Sequence, residues 1–290
     1  MTLLDRALRI GGAGAARRMG VVAIVYGMHA TFALALAWPI AKLVADPVFG
    51  HPRGDRVLFE PGGLFLTEAI RIMRAPLESV AEGMSFGILV GLYLGLLPLA
   101  ALLYALGTEE KLSVGSLATA AGRSLGSLSL LLGGSLVVGG IACAVPLVMR
   151  GLLETKIRSA FGDRGGDLVG LGFHLIALGV AWLVGVVHDL ARAALVARGL
   201  SALRAAQAAT AALRAFPAEA LGGWALRGLS ALLLVTIAAR ATTHIGVDTM
   251  PRLAAVALVH QMVAITLVFL RADWLALAMR LVGWSYRRDL

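Results

Sequence analysis

Six long apolar runs constrain the fold of this chain more than any other feature. Each run approaches the ~20 residues that an α-helix needs to cross the hydrocarbon core of a bilayer. The runs show no two-residue alternation and are too long for the strands of a membrane barrel. We therefore predict an all-α, multi-pass membrane helical bundle. Its six predicted spans are 21–44, 85–106, 125–149, 168–187, 221–239 and 253–270.

Composition excludes most soluble classes of protein. Of the 290 residues, 59% are hydrophobic and 15% are charged, whereas globular chains average about 45–50% apolar and roughly 25% charged residues. One water-soluble core cannot bury such an excess. The single cysteine, Cys143, lies in an apolar run, which excludes a disulfide scaffold and a zinc ribbon. Residues 1–290 are therefore predicted to form a single integral membrane domain.

The basic residues predict orientation rather than nucleic-acid binding. The net charge is +9, but the basic residues flank apolar runs, where they set topology and meet anionic headgroups. No basic run is long or interleaved with aromatics, so the predicted partner is the lipid bilayer and not a nucleic acid. With both termini in the cytoplasm, more of the basic residues lie on the cytoplasmic side of the membrane than on the outer side. Arginine far outnumbers lysine and asparagine is absent, which favours a GC-rich bacterial genome and the bacterial inner membrane.

Two segments between the spans have helical periodicity without the length or hydropathy of a span. Residues 64–82 place an apolar stripe opposite a charged one, which predicts an amphipathic helix on the outer interface, bent near Pro76. Residues 192–217 are rich in alanine and arginine and predict a cytoplasmic elbow that continues the fourth span and ends at Pro217. The first span is interpreted as a retained signal-anchor, because five further spans follow it.

Glycines in the second span predict close helix packing. Gly87, Gly91 and Gly95 recur at strict four-residue spacing and form a ridge of small residues. In lipid, such ridges let two helix backbones approach closely. Packing inside the bundle is the favoured interpretation. A contact with a second copy of the chain or with another membrane protein is the alternative.

Polar side chains at membrane depth are candidate functional residues because burying them in lipid is costly. His174 and His260 fall at a similar depth, about 10–12 Å below the outer surface at ~1.5 Å per residue. Gln261 adjoins His260, and Arg240 ends the fifth span near the same level. A cluster of these four residues would bind an anion, relay protons or hold a metal. Four unconnected polar residues, each bonded locally, is the favoured interpretation.

Metal- and phosphate-binding motifs are missing from the sequence. There is no His-x-x-x-His or His-Glu-x-x-His pair for a metal, and no glycine-rich phosphate loop. No catalytic residue, metal or cofactor is therefore predicted.

The cytoplasmic end of the fourth span carries a candidate structural ion pair. Asp189 and Arg192 are three residues apart, so they share one face of a helix. Arg123 and Arg227 on neighbouring spans are alternative partners for Asp189. Any of these pairs would pin the elbow beneath the bundle.

This region also carries a family resemblance. Asp189-Leu190-Ala191-Arg192, followed by the alanine- and arginine-rich stretch from Ser201 to Pro217, resembles a set of bacterial six-span membrane proteins. Those proteins have Asp-x-Ala-Arg at the end of the fourth span, and they are distantly similar to the membrane domain of some glycerophosphodiester phosphodiesterases. The resemblance covers about 84–225 and implies a fold and a membrane location. It implies no activity, because the catalytic domain of the phosphodiesterases has no counterpart here.

Three functions stay open at the level of sequence. The favoured one is a non-catalytic membrane module that organises or assists another membrane component. The second is a transporter or permease for a small or lipidic solute. The third is an intramembrane enzyme acting on lipid, which the missing motifs disfavour.

Overall fold

The computed structural model describes residues 15–48, 67–68, 71, 74–108, 112–246 and 249–288, and these residues are helical with no strand. Five of the described helices are long and apolar enough to cross a membrane. The predicted all-α membrane bundle is thereby confirmed. The helices are α1 (Met19–Val48), α2 (Arg74–Leu94), α3 (Leu96–Gly107), α4 (Val114–Arg198), α5 (Ala202–Ala215), α6 (Pro217–Ile245) and α7 (Met250–Arg288).

Helix α4 is 85 residues long and folds back on itself at Gly162, where the backbone turns to φ 68° and ψ 179°. Ser135 Oγ lies 2.5 Å from His188 Nδ1, although a straight helix would separate these residues by about 80 Å. The Cys143 thiol likewise reaches the Ala177 carbonyl. The two arms of α4 are therefore antiparallel, and with this hairpin the five apolar helices supply six segments of spanning length.

The turn of this hairpin is stabilised by one arginine. Arg158 donates to Glu154 in its own arm and to Asp163 and Asp167 beyond the turn, over 3.1–3.2 Å. A glycine is needed at 162 because residues with a Cβ rarely adopt this positive φ. Helix therefore continues through 150–161, past the predicted end of the third span.

The elbow forms where it was expected, as two separate helices. Helix α4 ends at Arg198, and Gly199 adopts a left-handed conformation with φ 60°. Helix α5 follows and buries Ala205, Ala209 and Ala212. Pro217 then occupies the first position of α6, where its missing N–H costs nothing.

The described part of 64–82 differs from a free interfacial helix. From Arg74 onward it forms the first turns of α2, with Pro76 in the first turn, where proline is tolerated. Earlier in the segment, Arg71 donates to Glu68 over 2.6 and 3.0 Å. These hydrogen bonds hold the pKa of the Glu68 carboxyl below its ordinary value. The rest of 64–73 lies outside the described residues.

Burial divides the molecule into two halves along the helix axes. The first, which we call the packed half, holds the main core cluster, formed by the start of α1, α3, both ends of α4, α5, the start of α6 and the last part of α7. The second, the apolar half, holds most of the exposed large apolar side chains, including Trp38, Phe86 and Leu178. Such a surface is unfavourable in water, and it suits contact with lipid chains.

Candidate functional site

The structure places the predicted polar residues with separate partners. His174 Nδ1 lies 2.7 Å from the Gly170 carbonyl, and His174 Nε2 lies 3.0 Å from Arg150 Nη1. Because the carbonyl accepts a hydrogen bond from the Nδ1–H group, Nε2 is left to accept a hydrogen bond from the guanidinium. His174 therefore joins the two arms of α4 and does not face α7.

The other three members of the predicted set lie on α6 and α7. Gln261 accepts a hydrogen bond from the Tyr26 hydroxyl of α1. His260 and Arg240 are exposed. No hydrogen bond or ion pair joins any two of His174, His260, Gln261 and Arg240, all of which belong to the described part of the chain.

A different polar centre forms around Asp189, which is 2% exposed. Arg271 donates to both carboxylate oxygens over 2.5 Å, in a bidentate pair. Trp274 Nε1 and Trp224 Nε1 donate to Oδ2 over 2.9 and 3.4 Å. Arg192 Nη1 donates to Oδ1 over 3.4 Å. We call these five residues the Asp189 hub, and they tie α4, α6 and α7 together.

Sequence reasoning found two members of the hub and missed three. Asp189 and Arg192 are paired as predicted by their spacing, although the contact is long. The predicted sixth span ends at residue 270, one residue before Arg271, whereas α7 continues to Arg288. The pattern Arg271-Ala272-Asp273-Trp274 carries the missing signal, since Arg271 and Trp274 share one face of the helix.

The alternative partner Arg227 is used elsewhere. It is 5% exposed and pairs with Asp273, which is 7% exposed; Arg227 Nε donates to Asp273 Oδ2 over 2.7 Å. Arg227 Nη1 also donates to the Gly223 carbonyl over 3.0 Å. This buried pair joins α6 to α7 one residue before Trp274. Arg123, the other alternative, is exposed.

A cavity of about 1070 Å³ opens beside the hub. Its walls come from α1, α2, α3 and α7, and nearly all the lining side chains are aliphatic or aromatic. Arg192 and Arg271 contribute the charged part of the lining, and His29 and Thr31 of α1 contribute further polar groups. The cavity is therefore amphipathic, with an apolar body and two guanidinium groups.

The wall formed by α2 and α3 is kinked within the predicted second span. Gly95 keeps a right-handed helical conformation with φ −63° and ψ −17°, and its N–H donates to the Gly91 carbonyl over 2.7 Å. Proline has no N–H, so the carbonyl of Leu94, four residues before Pro98, lacks its usual helical donor. Leu94, Gly95 and Pro98 all line the cavity.

The predicted glycine ridge lies along the same wall. A Cβ placed on Gly91 would come within 2.0–2.9 Å of the Phe32 ring, and a Cβ on Gly87 would lie 3.1 Å from Leu36. A Cβ on Gly95 would meet the Gly91 carbonyl at 3.0 Å. Two of the three glycines therefore face α1.

Within the described residues, no group of three or more His, Cys, Asp or Glu side chains is placed to hold a metal ion. Comparisons of the chain with known protein families, with curated proteins and with solved structures find no match. The resemblance to the six-span family stays a prediction. The cavity and the hub are therefore the features from which a function can be proposed.

Proposed function

We propose that this protein is a carrier or permease for a lipidic solute, which it binds in the cavity between α1, α2, α3 and α7. The amphipathic cavity is the single observation that carries the proposal. Its volume of about 1070 Å³ is slightly above the range of roughly 300–1,000 Å³ for small-molecule sites. Mostly apolar walls with a few polar groups are typical of such sites.

The surroundings of the cavity support entry from the bilayer. Two of the helices that wall it, α1 and α2, extend into the apolar half, where Leu34, Trp38 and Phe86 are 71–73% exposed. A solute dissolved in lipid chains meets the cavity from this side without crossing a polar surface. A water-soluble solute would have to pass this apolar surface.

The kink at Pro98 supports transport over static binding. The Leu94 carbonyl lacks its helical donor there, so α2 and α3 have a weaker point at which they can bend relative to each other. Leu94 and Pro98 line the cavity itself.

The glycine ridge favours the carrier over the module that organises another protein. That interpretation needs a free ridge for the partner, whereas Phe32 and Leu36 of α1 already lie against Gly91 and Gly87. We interpret the ridge as the close approach of α1 and α2 that shapes the cavity wall.

We place the protein in the bacterial cytoplasmic membrane, with both termini on the cytoplasmic side. Six segments of spanning length return the chain to the side on which it starts. The excess of basic residues on that side supports the orientation.

A cavity-filling variant tests the proposal. A Cβ on Gly27 of α1 meets nothing within 4 Å, and this residue lines the cavity. Gly27→Leu should therefore fill the cavity without straining the helix. We expect native mass spectrometry of the purified protein to show one retained lipid in the wild type and several-fold less in the variant. Proteoliposomes should show the same loss in the translocation of a fluorescent lipid.

The matched control is Gly20→Leu, which also has open space on α1 but does not line the cavity. Lipid retention and translocation should match the wild type. Equal lipid binding by both variants would contradict the proposal. A stoichiometric protein partner on a chain without bound lipid would instead support the membrane module.

A further inference from the structure

The geometry points to an anionic headgroup as the polar part of the solute, bound by Arg192 and Arg271 with its acyl chain along α1 and α2. This inference rests on the proposed function and names the substrate class of the same cavity. The charge of the hub, its free donors and the placement of the two arginines support it.

The first argument is the charge of the hub. Arg192 and Arg271 share one carboxylate, Asp189. No other acid of the described residues pairs with either guanidinium, because Asp273 is paired with Arg227. The hub therefore carries one net positive charge. A largely buried charge is costly unless it is paired, and one monovalent anion in the cavity neutralises it.

The second argument is the supply of free donors. Arg192 Nε is buried and has no hydrogen-bond partner among the described residues. Arg192 meets Asp189 through Nη1 alone, at 3.4 Å. The two Arg271 nitrogens that contact Asp189 each retain a second N–H. Guanidinium groups with free N–H donors suit phosphate and carboxylate oxygens, which they bind in a bidentate manner.

The third argument is the placement of the arginines. Both line the cavity, and the Arg271 side chain is 41% exposed although its partner Asp189 is 3% exposed. Apart from His29 and Thr31, the remaining wall along α1 and α2 is apolar, from Val25 to Leu36 and from Ile88 to Leu94. A ligand with one anionic end and an apolar chain matches both parts at once. A zwitterionic headgroup would bring its own cation next to the two guanidiniums.

A binding assay with matched lipids tests the inference. The purified full-length protein is titrated with dioleoyl phosphatidylglycerol, with dioleoyl phosphatidylcholine and with oleate, and binding is followed by native mass spectrometry. We expect one phosphatidylglycerol or oleate per chain, bound about tenfold or more tightly than phosphatidylcholine. The two anionic lipids distinguish a phosphodiester headgroup from a carboxylate. Inorganic phosphate, added as a competitor, should displace neither lipid at equal concentration, since it lacks the chain.

Variants separate the headgroup from the chain. Arg192→Gln removes the net charge and leaves the bidentate Arg271–Asp189 pair in place, so the variant should fold. Its preference for the anionic lipid should disappear, with anionic and zwitterionic lipids bound equally. Arg271→Lys keeps the positive charge but loses the planar guanidinium that binds oxygen pairs in a bidentate manner. Arg204→Gln, an exposed arginine on α5 outside the cavity, should leave the preference unchanged.

The outcomes distinguish the two proposals. Equal binding of all three lipids, lost in Gly27→Leu but unchanged in Arg192→Gln, would overturn the anionic headgroup and leave the carrier intact. Failure of every lipid to bind, or binding that Gly27→Leu does not reduce, would overturn both. Displacement by inorganic phosphate alone would show a simple anion site and would also overturn the lipid headgroup.

Discussion

Asp189 is the residue on which the polar interior depends. It accepts hydrogen bonds from four side chains on three helices, and each donor is an arginine or a tryptophan. In lipid there is little hydrophobic driving force between helices, so polar contacts and close packing hold them together. Removing the carboxylate charge would leave two guanidiniums without their counterion.

Asp189→Asn should therefore destabilise the protein by about 3–5 kcal/mol, the cost of breaking a buried ion pair by removing one partner. Thermal unfolding followed by tryptophan fluorescence in a mild detergent measures this loss. Glu82→Gln is the control, because Glu82 is an exposed acid on α2, outside the hub and the hairpin turn. Equal unfolding temperatures for the two variants would contradict a structural role for the hub.

The Arg227–Asp273 pair should behave differently when both partners are replaced together. Arg227→Met and Asp273→Leu each leave one buried charge unpaired, at a cost of about 3–5 kcal/mol. The double variant should lose clearly less than the sum, because well-packed apolar residues replace a buried ion pair at little cost. Unfolding temperatures of the four proteins form the double-mutant cycle. Strict additivity would show that the two side chains act independently.

At this scale the sequence reveals candidate residues but not their partners. The spacing of Asp189 and Arg192 predicts a shared helix face, and both belong to the hub. Arg271 lies 82 residues further on, and the packing that brings it to Asp189 involves α6 and α7 together. Periodicity describes one helix at a time, so it cannot show which faces of distant helices meet.

At the scale of elements, the hairpin of α4 depends on the conformation of Gly162. A residue with a Cβ at φ 68° and ψ 179° is strained, typically by about 1–3 kcal/mol. Gly162→Ala should lower stability by that amount in the same unfolding assay. Gly151→Ala, also in α4 and with open space around its Cβ, should raise it by about 0.5–1 kcal/mol. The prediction fails when Gly162→Ala is as stable as Gly151→Ala.

The pairing of the two arms predicts a cross-link. A Cβ on Gly139 would lie 4.0 Å from Val184 Cβ, within the range of about 3.5–4.5 Å for a disulfide. Gly139→Cys with Val184→Cys, in a Cys143→Ser background, should oxidise to an intramolecular disulfide that mass spectrometry detects. Gly140→Cys with Val184→Cys is the control and should stay reduced, since a Cβ there meets nothing within 4 Å.

Apolar runs predicted the all-α class and the presence of long apolar helices, because hydropathy is a local property of the chain. They did not predict that the third and fourth segments form one interrupted helix. The residues between them, 150–167, are charged and glycine-rich, a composition that is also compatible with a loop. Arg158 and its three carboxylate partners decide between these structures, through contacts across the turn.

At the scale of the molecule, the packed and apolar halves predict an orientation that labelling can test. The hairpin turn and the elbow lie at opposite ends of the second arm of α4. Ser159→Cys and Ser201→Cys, each in a Cys143→Ser background, should react with a membrane-impermeant maleimide from opposite sides of the membrane. Ser159→Cys should react in intact cells and Ser201→Cys only after permeabilisation. Labelling of both from one side would contradict the hairpin as a pair of crossings.

The hairpin turn also bears on how the protein enters its membrane. Residues 151–167 hold three basic and three acidic side chains, and Arg158 donates a hydrogen bond to each of the three carboxylates. In the proposed orientation this segment crosses the membrane with no net charge, so the positive-inside rule does not oppose its export. We therefore expect the two arms to insert together as one helical hairpin.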